Sequence, residues 1–452
     1  LLAHNASVDF NGGEALEIAA KLNAVSLLRA MLQGRAVLGS SLSKAFESTD
    51  QRRYEVVELF LDAGLKGEPL HTALVVQSKR GDKALDVCSL LLKHCGESIN
   101  EHDGEALNTA VSLGAIQLVR AMLLERKASS STLSRAFESA LDLADRVRLI
   151  MMQLIFDAGL PKGAQVDAGL LKLVQRGSKD TESIQALLKF GASVHYDDHE
   201  AIHAAARLCH LNVLELLLCY VTDKSAPSLV FGDRLRECRW QAMEVVETLE
   251  ILLQHGAQGN DIHVALVLSV SESNTNPIAR KFVSVLLSYD VDVNYDQGRP
   301  LQIAAEIADL GILSIMMAKK PKLDSLVMAF PHIFKAKPRP REAILLSFIR
   351  LFRANAGEEL SSSAVRPKIT DPAVFMSIDV YPESTRILEA ILDTGFPVDQ
   401  KMYHDLPGLG NVSITPLYWA LSGHGKAVPE PVVYLLLKRG GNVPPSSNLC
   451  FF

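Results

Sequence analysis

Gly13-Glu14-Ala15-Leu16 returns as Gly104-Glu105-Ala106-Leu107, and Leu42-Ser43-Lys44-Ala45-Phe46-Glu47-Ser48 returns as Leu133-Ser134-Arg135-Ala136-Phe137-Glu138-Ser139, both after 91 residues. The first element comes back at Ala201-Ile202-His203-Ala204-Ala205, at Pro300-Leu301-Gln302-Ile303-Ala304-Ala305 and at Pro416-Leu417-Tyr418-Trp419-Ala420. With Leu16, Leu107, Ile202, Leu301 and Leu417 as markers, the spacings are 91, 95, 99 and 116. A short pattern that drifts by a few residues per copy is the trace of duplication followed by loop insertion, and such a repeat governs the reading of the rest.

Each long period splits into three pieces of about 30 residues, each reading as two short helices. In the first period the apolar spacing predicts helices over Ala15–Leu22 and Ala24–Leu32, then around Leu42–Glu47 and Glu55–Leu61, then around Leu70–Gln77 and Leu85–Lys93. Gly64, Gly96, Gly159, Gly191, Gly256, Gly357, Gly395 and Gly440 each follow an apolar helix end, where a left-handed C-cap favours glycine. Counting forward gives about thirteen two-helix units. A unit this short cannot bury its apolar side alone, so it must stack on its neighbours.

The motif indicates which kind of stack. Thr415-Pro416-Leu417-Tyr418-Trp419-Ala420 followed by Leu435-Leu436-Leu437-Lys438-Arg439-Gly440-Gly441 resembles the ankyrin repeat, as do Pro69-Leu70-His71-Thr72-Ala73 and Leu187-Leu188-Lys189-Phe190-Gly191-Ala192. The three-unit super-period is similar to that of large ankyrin-repeat proteins of filamentous fungi. The resemblance implies an all-α, ankyrin-type helix-turn-helix solenoid with occasional short β-hairpin fingers. Val8-Asp9-Phe10-Asn11-Gly12-Gly13, Val194-His195-Tyr196-Asp197-Asp198 and Val293-Asn294-Tyr295-Asp296-Gln297-Gly298 have the Gly, Asn and Asp content of tight turns between short extended runs. Fingers are therefore expected about three units apart, with simple loops such as Gly34–Ser41 and Arg126–Thr132 between them.

The expected organisation is an array of about eleven units over residues 1–356, the first one truncated, then a mobile insertion at 357–370, then two further units and a C-terminal tail over 371–452. Glu358–Lys368 is polar and Ser-rich, without an apolar stripe to bury, and its added length fits the last period of 116. Leu1–Val8 aligns without gaps to Leu187–Val194, the end of a second helix, which predicts that the chain opens inside a unit and belongs to a longer protein.

Composition is compatible with this frame. The 452 residues are 48% apolar and 22% charged, ample for a buried core, and with 6% aromatics that core must be mostly Leu, Ala, Val and Ile. A formal charge of -6 argues against nucleic acid or an anionic membrane as partner. The six cysteines form no CxxC pair and read as core residues in a reducing compartment, so an intracellular, cytoplasmic location is expected. No run of 18 apolar residues suggests a membrane span.

One catalytic pattern is present, His199-Glu200-Ala201-Ile202-His203, an HExxH that on a continuous helix would hold zinc, with His210 or Cys209 as a third ligand. The repeat opposes that reading. His203 is the counterpart of Glu17, Asn108, Gln302 and Tyr418, a merely polar position, and His199 falls before the helix begins. No phosphate-binding glycine loop or nucleophile elbow is found. The sequence thus points to no catalytic residue, no metal and no cofactor. Asn5-Ala6-Ser7 and Asn411-Val412-Ser413 read as unmodified loops.

Two surfaces are candidates for a protein partner. Phe10, Tyr196 and Tyr295 share one position of the repeat, beside Asn11, His195, Asp197, Asn294 and Asp296. They are either exposed anchors or rings packed between neighbouring turns. Lys335, Lys337 and Arg339, continued by Arg341, Arg350 and Arg353, form a basic stretch that is either a dock for an acidic or phosphorylated partner or a solvated loop and helix face. The expected function is that of a non-catalytic scaffold binding a protein on the concave face of an ankyrin superhelix. The alternative is a regulatory or targeting array of a larger enzyme or signalling protein.

Overall fold

The computed structural model describes residues 7–94, 99–177, 179–237, 242–337, 340–356, 372–406, 410–422 and 428–443. Backbone contacts divide the chain into two blocks, Leu1–Thr222 and Asp223–Phe452. Both are helical, and both are built from helix pairs joined by short connections.

Among the described residues the N-terminal block holds seven pairs. These are α1 (Glu14–Lys21) with α2 (Val25–Leu32), α3 (Gly39–Glu47) with α4 (Tyr54–Asp62), and α5 (Glu68–Ser78) with α6 (Leu85–His94). Next come α7 (Glu105–Ser112) with α8 (Ile116–Glu125), and α9 (Ser130–Ala140) with α10 (Asp145–Asp157). The block closes with α11 (Ala164–Gln175), α12 (Thr181–Phe190), α13 (Glu200–Arg207) and α14 (Leu211–Leu218). Among the described residues the C-terminal block holds six pairs. They are α15 (Ala226–Glu237) with α16 (Met243–Gln254), α17 (Asn260–Glu272) with α18 (Pro277–Ser288), and α19 (Tyr295–Glu306) with α20 (Leu310–Ala318). They continue with α21 (Leu323–Ala329) and α22 (Glu342–Ala356), α23 (Ala373–Val380) and α24 (Thr385–Asp393), and α25 (Pro416–Ser422) and α26 (Glu430–Lys438).

Within each block, first helices pack on first helices and second helices on second. In the N-terminal block α1 lies on α3, α5 on α7, α7 on α9 and α11 on α13, while α2, α4, α6, α8, α10, α12 and α14 form a second file. In the C-terminal block α15, α17, α19 and α21 follow one another, as do α16, α18, α20, α22, α24 and α26. The small residues that recur on the first helices explain the close approach: Ala19, Ala110, Ala205 and Ala304 are at most 1% exposed. Six of the eight predicted glycine caps have positive φ, from 85° at Gly440 to 119° at Gly191, and Gly96 and Gly357 lie outside the described residues.

Side chains in the connections, and Asp167 in the first turn of α11, bond to the backbone of a connection one pair further along. Oδ1 of Asp9 accepts the Leu38 amide at 3.0 Å, Asn100 that of Ser129 at 2.6 Å, and Asp167 that of Ser193 at 2.7 Å. In the C-terminal block Asn294 accepts from Lys322 at 2.7 Å and Asp399 from Asn442 at 2.7 Å. Each such bond contributes on the order of 1 kcal/mol, more where the acceptor is ionised.

The expected fingers at Val8–Gly13, Val194–Asp198 and Val293–Gly298 are not hairpins. Each contains residues of a left-handed turn, Asn11-Gly12-Gly13 with φ of 51°, 67° and 80°, Asp197-Asp198-His199 with 51°, 51° and 68°, and Asp296-Gln297-Gly298 with 48°, 56° and 78°. His102-Asp103-Gly104 makes a fourth. Asn, Asp and Gly tolerate this conformation as readily as a hairpin turn. What decides is the chain that follows: regular helix begins at once, so no second strand is left to pair. The one hairpin among the described residues is β1 (Met402–Leu406) with β2 (Gly410–Ile414), at the same place in the last period. Its two strands account for part of that period's extra length. The proposed insertion at 357–370 lies outside the described residues.

Candidate functional site

The residues of the first surface read from the sequence have different settings within the two blocks. Phe10 is 80% exposed, and Asn11 beside it turns its amide to Glu14. His195 and Tyr196 sit six helix pairs further along the N-terminal block, both half-buried, with Asp197 exposed. In the C-terminal block Tyr295 packs on His263, with ring centroids 5.4 Å apart, and Asn294 spends both ends of its amide on Lys322 and Asp292. Asp296 is exposed on a left-handed residue. The shared repeat position of Phe10, Tyr196 and Tyr295 thus gives an exposed ring at Phe10 and a packed one at Tyr295, because His263 projects from α17 beneath the latter.

The HExxH residues are not on one helical face. His199 is the N-cap of α13 at φ 68°, and its Nε2 faces Nδ1 of His195 at 2.9 Å. His195 Nε2 in turn lies 2.9 Å from the Thr222 hydroxyl. Of the two proposed third ligands, Cys209 has φ 53° in the connection after α13 and His210 is the N-cap of α14, where burial, with Lys179 nearby, pushes its pKa down. Among the described residues no group of three or more His, Cys, Asp or Glu side chains is arranged to hold a metal ion. No described helix is long and apolar enough to cross a membrane.

A second imidazole pair escaped the sequence reading. His71 on α5 is 2% exposed, and its Nε2 meets Nδ1 of His102 at 2.9 Å, the rings stacked with centroids 4.8 Å apart. Glu101 Oε2 stands 3.4 Å from the other His71 nitrogen. The pair joins α5 to the left-handed turn before α7, as His195 and His199 join within the turn before α13. Alignment of His102 with Asn11 was the available signal, but the contact to His71 spans 31 residues.

The basic stretch has a defined setting. Lys335 ends the 3-10 segment Phe330–Lys335 and Lys337 follows it, both exposed, whereas Arg339 lies outside the described residues. His332 Nδ1 is 3.1 Å from Glu306 at the C-terminal end of α19, so this turn and Asn294–Asp296 occupy opposite ends of that helix. Between the start of α22 and the α23–α24 connection lies an open groove of about 560 Å³ lined by Glu342, Tyr381, Glu383, Ser384, Thr385 and Arg386 among others.

Exposed side chains at the C-terminal ends of the first helices also repeat. Leu22, Leu113 and Leu208, which follow the last residues of α1, α7 and α13, are 72%, 55% and 43% exposed. Their spacings of 91 and 95 match the period. No protein-family model matches the chain, and no curated protein is similar enough to it in sequence to count as a relative.

Proposed function

We propose that this chain is a non-catalytic scaffold of the ankyrin-repeat type, which holds a protein partner against the exposed side of its first helices and the turns that precede them. The observation that carries the reading is the periodic stack, in which first helices bury one side against their own kind and return an exposed leucine at Leu22, Leu113 and Leu208. A core requirement does not explain leucine there, since these side chains are largely outside the core. Apolar groups repeated along a rigid frame are suited to recognition of an extended protein surface. The Thr415-Pro416-Leu417 and Pro69-Leu70-His71 motifs add the family resemblance. Thr415 supports it locally: its hydroxyl donates to the Asn442 carbonyl at 2.7 Å and accepts the Tyr418 amide at 3.4 Å, the two bonds that open the final pair.

The test is a pull-down with the full chain against a variant carrying Leu22→Glu, Leu113→Glu and Leu208→Glu. A partner retained by the parent and released by a variant of unchanged helicity is the expected result. The same partner retained equally by both would remove the first-helix surface as the recognition site.

A further inference from the structure

We propose that this chain associates head to tail with a second copy of itself, the outer face of the last described pair, α25 with α26, receiving the outer face of the first pair, α1 with α2, of the next copy. Association of this kind depends only on how pairs pack within each block, and it is independent of the partner surface described above.

The repeat shows what each position buries when both neighbours are in place. Counted from the N-cap of the second helix, Leu27 corresponds to Leu118, Val213, Ile312 and Val432. None of those four is more than 3% exposed, whereas Leu27 is 46% exposed. On the first helix, Ile18 is 51% exposed where its counterparts Ala204 and Ile303 are 2% and 8% exposed. Thr109 and Trp419, at the same position, are half-buried. Among the described residues no helix pair precedes α1 and α2. Ile18 and Leu27 therefore mark the side that later pairs turn to the pair before them.

The other end shows the converse. Leu437 corresponds to Leu32, Leu218 and Met317, which are 4%, 4% and 2% exposed, and to half-buried Leu123, yet Leu437 is 53% exposed. Leu421 corresponds to Ala20, Val111, Ala206 and Ala305, all at most 1% exposed, and is itself 44% exposed. Val433 is half-buried where Leu28, Val119, Leu214 and Leu313 are fully buried. Among the described residues no pair follows α25 and α26, so these side chains mark the side turned to a following pair.

The two faces are the two halves of one junction. It is the junction made where α1 and α2 pack on α3 and α4, and again where α23 and α24 pack on α25 and α26. One chain carries both halves, so the occupant that fits each face is the opposite face of a second copy. Terminal units of a stacked array ordinarily need a polar outer side, which Ile18 and Leu27 at one end and Leu421 and Leu437 at the other do not provide. Because the two faces differ, the contact is heterologous, and it extends to a ring or a linear series instead of closing as a twofold dimer.

The test is sedimentation velocity of the full chain over a range of concentrations. The parent is expected to pass from monomer to dimer and larger species as concentration rises. Leu27→Glu and Leu437→Glu alter opposite faces, and each should stay monomeric where the parent associates, with helicity and melting unchanged. Leu124→Glu on α8, away from both faces, should associate like the parent. The decisive sample mixes the two face variants: each keeps the face the other has lost, so the mixture should form a 1:1 dimer and nothing larger. Leu27→Gln and Leu437→Gln take their place should a glutamate variant fail to fold. A parent that is monomeric throughout, a mixture that stays monomeric, or a face variant that associates as the parent does would overturn the proposal.

Discussion

Asn100 Oδ1 accepts the amide N–H of Ser129 at 2.6 Å across 29 residues, while its Nδ2 donates to the Lys127 carbonyl at 3.1 Å. One side chain thereby fixes the path from α8 to α9 relative to the turn before α7. Asp9 and Leu38, and Asn294 and Lys322, repeat the first of these bonds.

Asn100→Ala removes both bonds and should destabilise the chain by about 1–2 kcal/mol, measured as a shift in the urea midpoint. Asn100→Asp keeps the acceptor and loses the donor, so it should fall between parent and alanine variant. An alanine variant with the parent's midpoint would show that the tie is not a source of stability.

Enlarging the small residues between first helices should overpack the stack. Ala110→Leu or Ala205→Leu should each cost about 1–3 kcal/mol, since both positions are fully buried. Thermal melts of the two variants read this directly, and unchanged melting would mean that the helices do not approach there.

Gly104 combines φ 76° with a neighbour that leaves no room for a Cβ, the Thr132 side chain. Gly104→Ala should therefore destabilise by about 1–3 kcal/mol, and Thr132→Ala in the same chain should recover part of the loss. Recovery of nothing would assign the whole effect to the backbone conformation.

The Arg176 guanidinium holds the Asp142 carboxyl below its ordinary range, against the opposing effect of burial and with Lys172 adding to it. A depressed folded-state pKa contributes stability above the unfolded-state value, and that contribution is lost as pH falls through the folded-state value. Asp142 is largely exposed, so solvent screening keeps the effect below about 1 kcal/mol. Asp142→Asn should be slightly less stable than the parent at neutral pH and equal to it in strong acid, as followed by urea titration at both. A gap that widens toward acid would contradict the assignment.

Local signals carried most of the frame. Helix pairs such as Val25–Leu32 and Tyr54–Asp62 follow from apolar spacing, and Gly64 or Gly191 marks a helix end wherever φ must be positive. The turns were misread because Asn11-Gly12-Gly13 suits a hairpin and a left-handed turn alike, and only the immediate start of α1 separates them. The pairing of β1 with β2 rests instead on burial of Ile414 with Tyr418 against Phe375, the last a contact between distant stretches. His71 with His102, and Tyr381 with Pro340, are likewise contacts across 31 and 41 residues that no local pattern announces. The basic stretch was visible from its charges, whereas its neighbour Arg386 was visible only once α24 was placed against α22.

The most direct measurement of the central claim uses a photo-crosslinking residue placed separately at Leu113, beside first helix α7, and at Leu124, on second helix α8. Both positions are open, at 55% and 80% exposure, so accessibility does not bias the comparison toward the first helix. The scaffold account predicts that a captured partner crosslinks through position 113 and not through 124. Crosslinking through 124 alone, or equally through both, would contradict it.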